Sequence, residues 1–202
     1  MKAAVVGLGQ MGAGIAANLH RAGYLGAAWD LSQAACAAAQ VPIGGLPDLG
    51  ASVDVVLFVV PSSREIEACL DTMLQADRPG QVLIDLTTSR PADTRRLAAR
   101  AELAGRSYLD AGMSGGATGA DRGTLTLMMG GDVTALDRCR PMLNVIAARI
   151  FHLGPVGAGH TMKLVHNMIC HTNFLAMADG RAGDDFTTLY PISDTLAQRL
   201  SK

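Results

Sequence analysis

Six residues near the N-terminus, Gly7-Leu8-Gly9-Gln10-Met11-Gly12, set the spacing Gly-x-Gly-x-x-Gly. An apolar run, Ala3–Val6, precedes them, and a helical pattern over Met11–Ala22 follows. In that setting each glycine has a task. Gly7 permits a tight turn, Gly9 lets the backbone approach a diphosphate, and Gly12 allows a helix to pack closely on a strand. The helix start then offers unpaired N–H groups and a partial positive charge to phosphate. A strand, this turn and a helix, in that order, point to a βαβ unit that binds a dinucleotide. Asp30 follows eighteen residues after Gly12, closing a second strand over Ala27–Trp29. A carboxylate there accepts hydrogen bonds from ribose hydroxyls and repels a 2′-phosphate. Neither Arg nor Lys stands among Leu31, Ser32 and Gln33. The expected cofactor is therefore NAD, with NADP disfavoured.

The rest of the first 150 residues repeats the alternation. Val53–Val60 is an apolar run broken only by Asp54, as in a strand buried on both faces. Helical patterns are expected over Ser32–Ala39, over Arg64–Leu74 and over Pro91–Ala104, the last with Arg95, Arg96 and Arg100 outward. Further strands are expected at Val82–Leu86, Ser107–Asp110, Leu125–Met129 and Arg149–His152, with a helix at Thr134–Ala147. Such a chain is an α/β protein with a Rossmann-type, doubly wound, mostly parallel sheet. From His160 to Ala178 a long helical stretch is apolar almost all round, which is the mark of a buried helix. Gly180, Gly183 and Asp184-Asp185 break it, and a short helix is expected at Asp194–Leu200.

Composition narrows the partners. A net charge of −1 offers no basic excess for nucleic acid. No run approaches the ~18 apolar residues of a membrane span, and Ala3–Val6 is too short for a signal-peptide core. Cys36, Cys69, Cys139 and Cys170 form no CxxC pair, which fits a reducing, cytoplasmic setting. His160, His166 and His171 are spaced six and five apart and do not share a helix face, so no metal site is expected.

Four segments, in order, resemble the β-hydroxyacid dehydrogenases, the family of 3-hydroxyisobutyrate and 6-phosphogluconate dehydrogenases. The first is the glycine turn with Ala16, Asn18 and Leu19. Asp85-Leu86-Thr87-Thr88-Ser89-Arg90-Pro91 is similar to a strand-end segment of that family. Asp110-Ala111-Gly112-Met113-Ser114-Gly115-Gly116, continuing to Gly130-Gly131, is similar to its substrate-binding segment. Gly157-Ala158-Gly159-His160-Thr161-Met162-Lys163-Leu164-Val165-His166-Asn167 is similar to its catalytic segment.

The resemblance implies hydride transfer between NAD and the hydroxyl carbon of a small β-hydroxy acid. It gives Lys163 the hydroxyl proton, a task that suits a lysine whose pKa desolvation or nearby cations lower. It gives Asn167 a substrate contact, and the spacing of four places both residues on one helix face. Ser114 and the N–H groups of Gly115 and Gly116 would hold the substrate carboxylate, since paired glycines let amides converge on an anion. Thr88 would stand near the nicotinamide, or else cap the helix that opens at Pro91. Val60 and Pro61 complete the expected cofactor set with Gly7 to Gly12 and Asp30. His160 and His166 lean towards the 6-phosphogluconate branch, but Cys170 occupies the position of that branch's glutamate, which favours oxidation without decarboxylation.

The resemblance further implies domains at 1–159, binding NAD(P), and at 160–202, a remnant of an all-helical domain. Burying an apolar helix contributes several kcal/mol at ~25 cal/mol per Å². A homo-oligomer through the 160–178 helix is therefore expected. Three other functions are kept as alternatives: a non-catalytic NAD-binding module, a decarboxylating enzyme like 6-phosphogluconate dehydrogenase, and an imine reductase, which resembles a version without lysine at position 163. The identity of the hydroxy acid is not readable from these residues.

Overall fold

The computed structural model describes residues 1–180, with side chains to residue 177. The expected helix at Asp194–Leu200 and the break at Gly183 and Asp184-Asp185 lie outside the described residues. The described chain divides into a unit of Met1–Lys163 and a second that begins at Leu164.

The first unit is built on seven strands: β1 (Ala3–Val6), β2 (Leu25–Trp29), β3 (Val55–Phe58), β4 (Val82–Asp85), β5 (Ser107–Ser114), β6 (Leu125–Gly130) and β7 (Ala147–His152). They form one sheet in the order β2-β1-β3-β4-β5-β6-β7. All pairings are parallel except β5 with β6. Continuous apolar runs make this possible, because both faces of the sheet are covered. Ala3, Val5, Val55 and Leu57 join one buried cluster, while Ala4, Val6, Val56 and Phe58 join the other. Alternate residues of a strand thus feed opposite layers.

Helices α1 (Gly12–Arg21), α2 (Gln33–Ala38), α3 (Leu46–Ser52), α4 (Ser63–Met73), α5 (Pro91–Leu103), α6 (Gly116–Arg122) and α7 (Val133–Leu143) connect the strands, and α8 (Ala158–Gly180) follows β7. The doubly wound α/β expectation agrees with this architecture. Two helices were not expected. Gly50 in α3 and Gly116 and Gly119 in α6 depress helix propensity. Tertiary packing supplies what propensity lacks. The Asn18 side chain on α1 donates to the carbonyls of Ala120 (2.7 Å) and Asp121 (3.1 Å), locking α6 against α1. On α5, Arg96 and Arg100 do face outward, and they pair with Glu67 and Asp71 of α4.

From β1 the chain crosses to β2 on one side, and β3 lies on the other. Open α/β sheets bind ligands at such a reversal, beyond the carboxyl ends of the strands.

Candidate functional site: a dinucleotide crevice and the helix beside it

A cavity of about 1010 Å³ opens at that reversal. The ends of four strands wall it: Gly7 after β1, Trp29 and Asp30 at β2, Val59, Val60 and Pro61 after β3, and Thr87 and Thr88 after β4. Gly9, Gln10 and Met11 form its floor at the start of α1. The α1 cap residue, Met11, offers no side-chain hydrogen bond, and no acidic residue lies in the first turn. The positive end of the helix is therefore left to a ligand.

The glycine turn has the geometry its spacing requires. Gly7 has φ of +100°, in the region that favours glycine. A Cβ on Gly12 would overlap the Gly7 carbonyl oxygen, so α1 starts as close to the turn as a backbone can. A Cβ on Gly9 would meet nothing within 4 Å. That open space over bare backbone fits a diphosphate. Leu8 and Gly12 stand behind the wall, both buried.

Asp30 does more than its position predicted. Its Oδ2 accepts the Leu8 N–H at 2.6 Å and its Oδ1 accepts the Ser32 N–H at 2.8 Å. One carboxylate thus pins the phosphate turn to the end of β2 while facing the cavity. NAD is expected to bind at least about tenfold more tightly than NADP, because a like charge beside Asp30 costs on the order of 1.4 kcal/mol or more. Titration of both nucleotides checks this, and Asp30→Asn is expected to narrow the difference.

Cys69 also lines the cavity. Burial pushes its thiol up to about 11, so it serves as a neutral, apolar wall. Thr88 lies in the cavity wall, and it does not cap α5. The cap residue there is Arg90, whose side chain makes no capping bond. The wall residues Trp29, Leu31, Ser32, Leu46, Glu65 and Met113 were not anticipated. Their one signal was position: most follow a strand end or open the next helix.

Ser114, Gly115, Gly116 and Lys163 stand outside this wall, beside its Met113 edge. Asp110, Gly112 and Ser114 are alternate residues of β5 and share a face. The start of α8 lies on that face. Asp110, fully buried, accepts the Gly157 N–H at 2.7 Å and the His160 N–H at 2.8 Å. A carboxylate on a strand therefore caps the helix. Glycines allow the approach: a Cβ on Gly159 would overlap the Met128 carbonyl oxygen, and one on Gly112 would sit 2.5 Å from the Cβ of Lys163. The Lys163 stem thus rests on Gly112, two residues from Ser114. Beyond Ser114 the backbone turns at Gly115 (φ +125°) and Gly116 (φ +59°).

A match to the family described as the NAD binding domain of 6-phosphogluconate dehydrogenase covers residues 2–154. The chain belongs to this family. Its cofactor is NAD. A relative named NAD-dependent L-serine dehydrogenase from Pseudomonas aeruginosa is 37% identical over 193 residues, which cover 89% of this chain and 62% of the relative. A probable 3-hydroxyisobutyrate dehydrogenase from Mycobacterium bovis is 37% identical over 180 residues, covering 87% of this chain and 61% of the relative. The solved 3-hydroxyisobutyrate dehydrogenase of Mycobacterium tuberculosis, studied with L-serine, superposes with a TM-score of 0.85 at 37% identity. That match covers 89% of this chain and 63% of the solved one. The family chain described here thus spans just over three fifths of the length of these relatives.

The second unit contributes the rest of α8. Asn167 lies on it, partly buried. On it Met168, Ile169, Phe174 and Leu175 are all more than half exposed in the single chain. No described helix is long and apolar enough to cross a membrane.

Proposed function

We propose that this chain carries the cofactor site and the proton-transferring lysine of an NAD-dependent dehydrogenase of small β-hydroxy acids. The observation behind this reading is the seating of Lys163 on Gly112, beside Ser114, by a helix start that Asp110 caps. Bound NAD supplies the hydride acceptor. The chain's own groups do the remainder. The Lys163 Nζ takes the hydroxyl proton as the carbonyl forms, and returns it in the reducing direction. Ser114 and the amides of Gly115 and Gly116 hold the substrate carboxylate. Asn167, one helical turn beyond Lys163, orients the hydroxyl-bearing carbon. The names of the relatives support small hydroxy acids as the substrate class.

The test is NADH formation from a panel that includes 3-hydroxyisobutyrate, L-serine and 6-phosphogluconate. Turnover is expected with the first class and not with the sugar phosphate. The chain's share of its relatives' length supports a second reading, a module that binds NAD without turnover. NADH binding with no product from any hydroxy acid would establish it.

The exposed apolar residues of α8 also support a homo-oligomer formed through 160–178. A sedimentation coefficient above the monomer value at micromolar concentration is expected, and a well-folded monomer would refute it.

A further inference from the structure

The cofactor cavity and the Lys163 helix start are joined by one buried cluster that neither the glycine turn nor the lysine explains. Asp85, at the end of β4, lies in register with Asp110 on β5. Its Oδ1 accepts the Thr87 N–H (2.9 Å) and hydroxyl (2.5 Å), and its Oδ2 accepts the Tyr108 hydroxyl (2.9 Å). Burial, with Asp85 alongside, raises the Tyr108 pKa well above its usual value, so it remains a donor. Thr87 bonds onward to Ser89 at 2.7 Å. Thr87 and Thr88 are cavity wall.

His160 faces this cluster from α8 and is fully buried. Its Nδ1 lies 2.7 Å from the Thr94 hydroxyl on α5. Its Nε2 has no hydrogen-bond partner and lies 3.8 Å from Asp85 Oδ1. Thr94 also donates to the Arg90 carbonyl at 3.2 Å, which leaves its oxygen to accept from Nδ1, and Nε2 stands over the Asp85 carboxylate. The His160 N–H is the one Asp110 caps, and Lys163 is one turn further along. The glycine turn holds the middle of a dinucleotide and Asp30 takes the adenosine side. The nicotinamide half therefore extends towards Thr87, Thr88 and Met113.

We propose that His160 is a positioning residue, tying the Asp85–Thr88 wall to the first turn of α8, so that one side chain sets the nicotinamide half of the cofactor relative to the Lys163 amine. Its mechanistic meaning rests on the dehydrogenase reading, but its test does not need turnover.

Two ligands separate positioning from general destabilisation. NADH reaches the Thr87–Thr88 wall, whereas ADP-ribose lacks the nicotinamide. Trp29, the one tryptophan of the chain, lines the cavity and reports both by fluorescence quenching. His160→Leu is expected to weaken NADH by about fivefold, the usual effect of losing one buried polar link, and to leave ADP-ribose within about twofold. His160→Gln, whose amide reaches the Nε2 position, restores NADH binding. His160→Asn, whose amide replaces only Nδ1, does not. The chain has three lysines, Lys2, Lys163 and Lys202, so amine labelling read by mass spectrometry follows Lys163 against Lys2 as an internal reference. That ratio is expected to change in His160→Leu and His160→Asn and to return in His160→Gln. Equal weakening of both ligands, equal recovery by Gln and Asn, or an unchanged Lys163 ratio overturns the proposal. The Gln and Asn pair decides the matter if His160→Leu does not fold. Failure of the wild-type chain to form NADH would overturn the dehydrogenase reading alone.

Discussion

Lys163→Met is expected to lower kcat by about 10²–10⁴-fold, the usual contribution of a general acid–base group, while NADH binding stays within about twofold. Methionine is the informative replacement. It keeps an unbranched stem over Gly112, where a Cβ on the glycine would sit 2.5 Å from that of the lysine, and removes only the amine. Lys163→Arg is expected to fare no better. A guanidinium stays protonated at any accessible pH and cannot accept the hydroxyl proton. If Arg retained activity, Lys163 would be a fixed charge and not a proton carrier. If Met retained it, the proton would leave by another route. Stopped-flow NADH formation with saturating hydroxy acid, run beside NADH titration, distinguishes these results.

The second large effect comes from two glycines that sit three residues apart and answer differently to the same methyl group. Gly12→Ala places a Cβ on the Gly7 carbonyl oxygen. The turn or the helix start must move, at a cost of about 1–3 kcal/mol and a fall in melting temperature of roughly 5–10 °C. The amides of the turn move with it, and loss of charge-assisted bonds to the diphosphate weakens NADH by at least about 30-fold. Gly9→Ala meets no neighbour and has no positive φ to defend. It is expected to melt like the wild type and still to bind NADH at least about tenfold more weakly, because the methyl fills space the ligand needs. Thermal melts and nucleotide titrations of both variants check the pair. Unimpaired binding by Gly9→Ala would place the diphosphate elsewhere.

The glycine turn and the strands were legible because each has a local pattern. Val55–Phe58 and residues 82–84 are apolar runs covered on both faces, and the turn is six consecutive residues. Helices α3 and α6 were not legible, since tertiary contacts such as the Asn18 bonds hold α6 in place of its own residues. The same reason hid the second half of the site. His160 lies dozens of residues beyond Asp85 and Thr94, and nothing near any of them announces the others. Asp30 was found by its spacing, yet its grip on the Leu8 amide was not, because an aspartate facing a ribose and an aspartate bracing a turn look alike in a sequence.

The cap on α8 is borrowed from a strand roughly fifty residues upstream, through the bonds of Asp110 to Gly157 and His160. The phase of the helix is therefore inherited from the sheet and not from the loop that leads into it. An extra residue between Leu153 and Val156 would bulge outward and leave the lysine's heading unchanged. The same insertion between His160 and Lys163 would swing that heading by about 100°. Tolerance to length variation thus ends abruptly at Gly157, and any natural or engineered drift in this part of the chain should collect on the upstream side of that point.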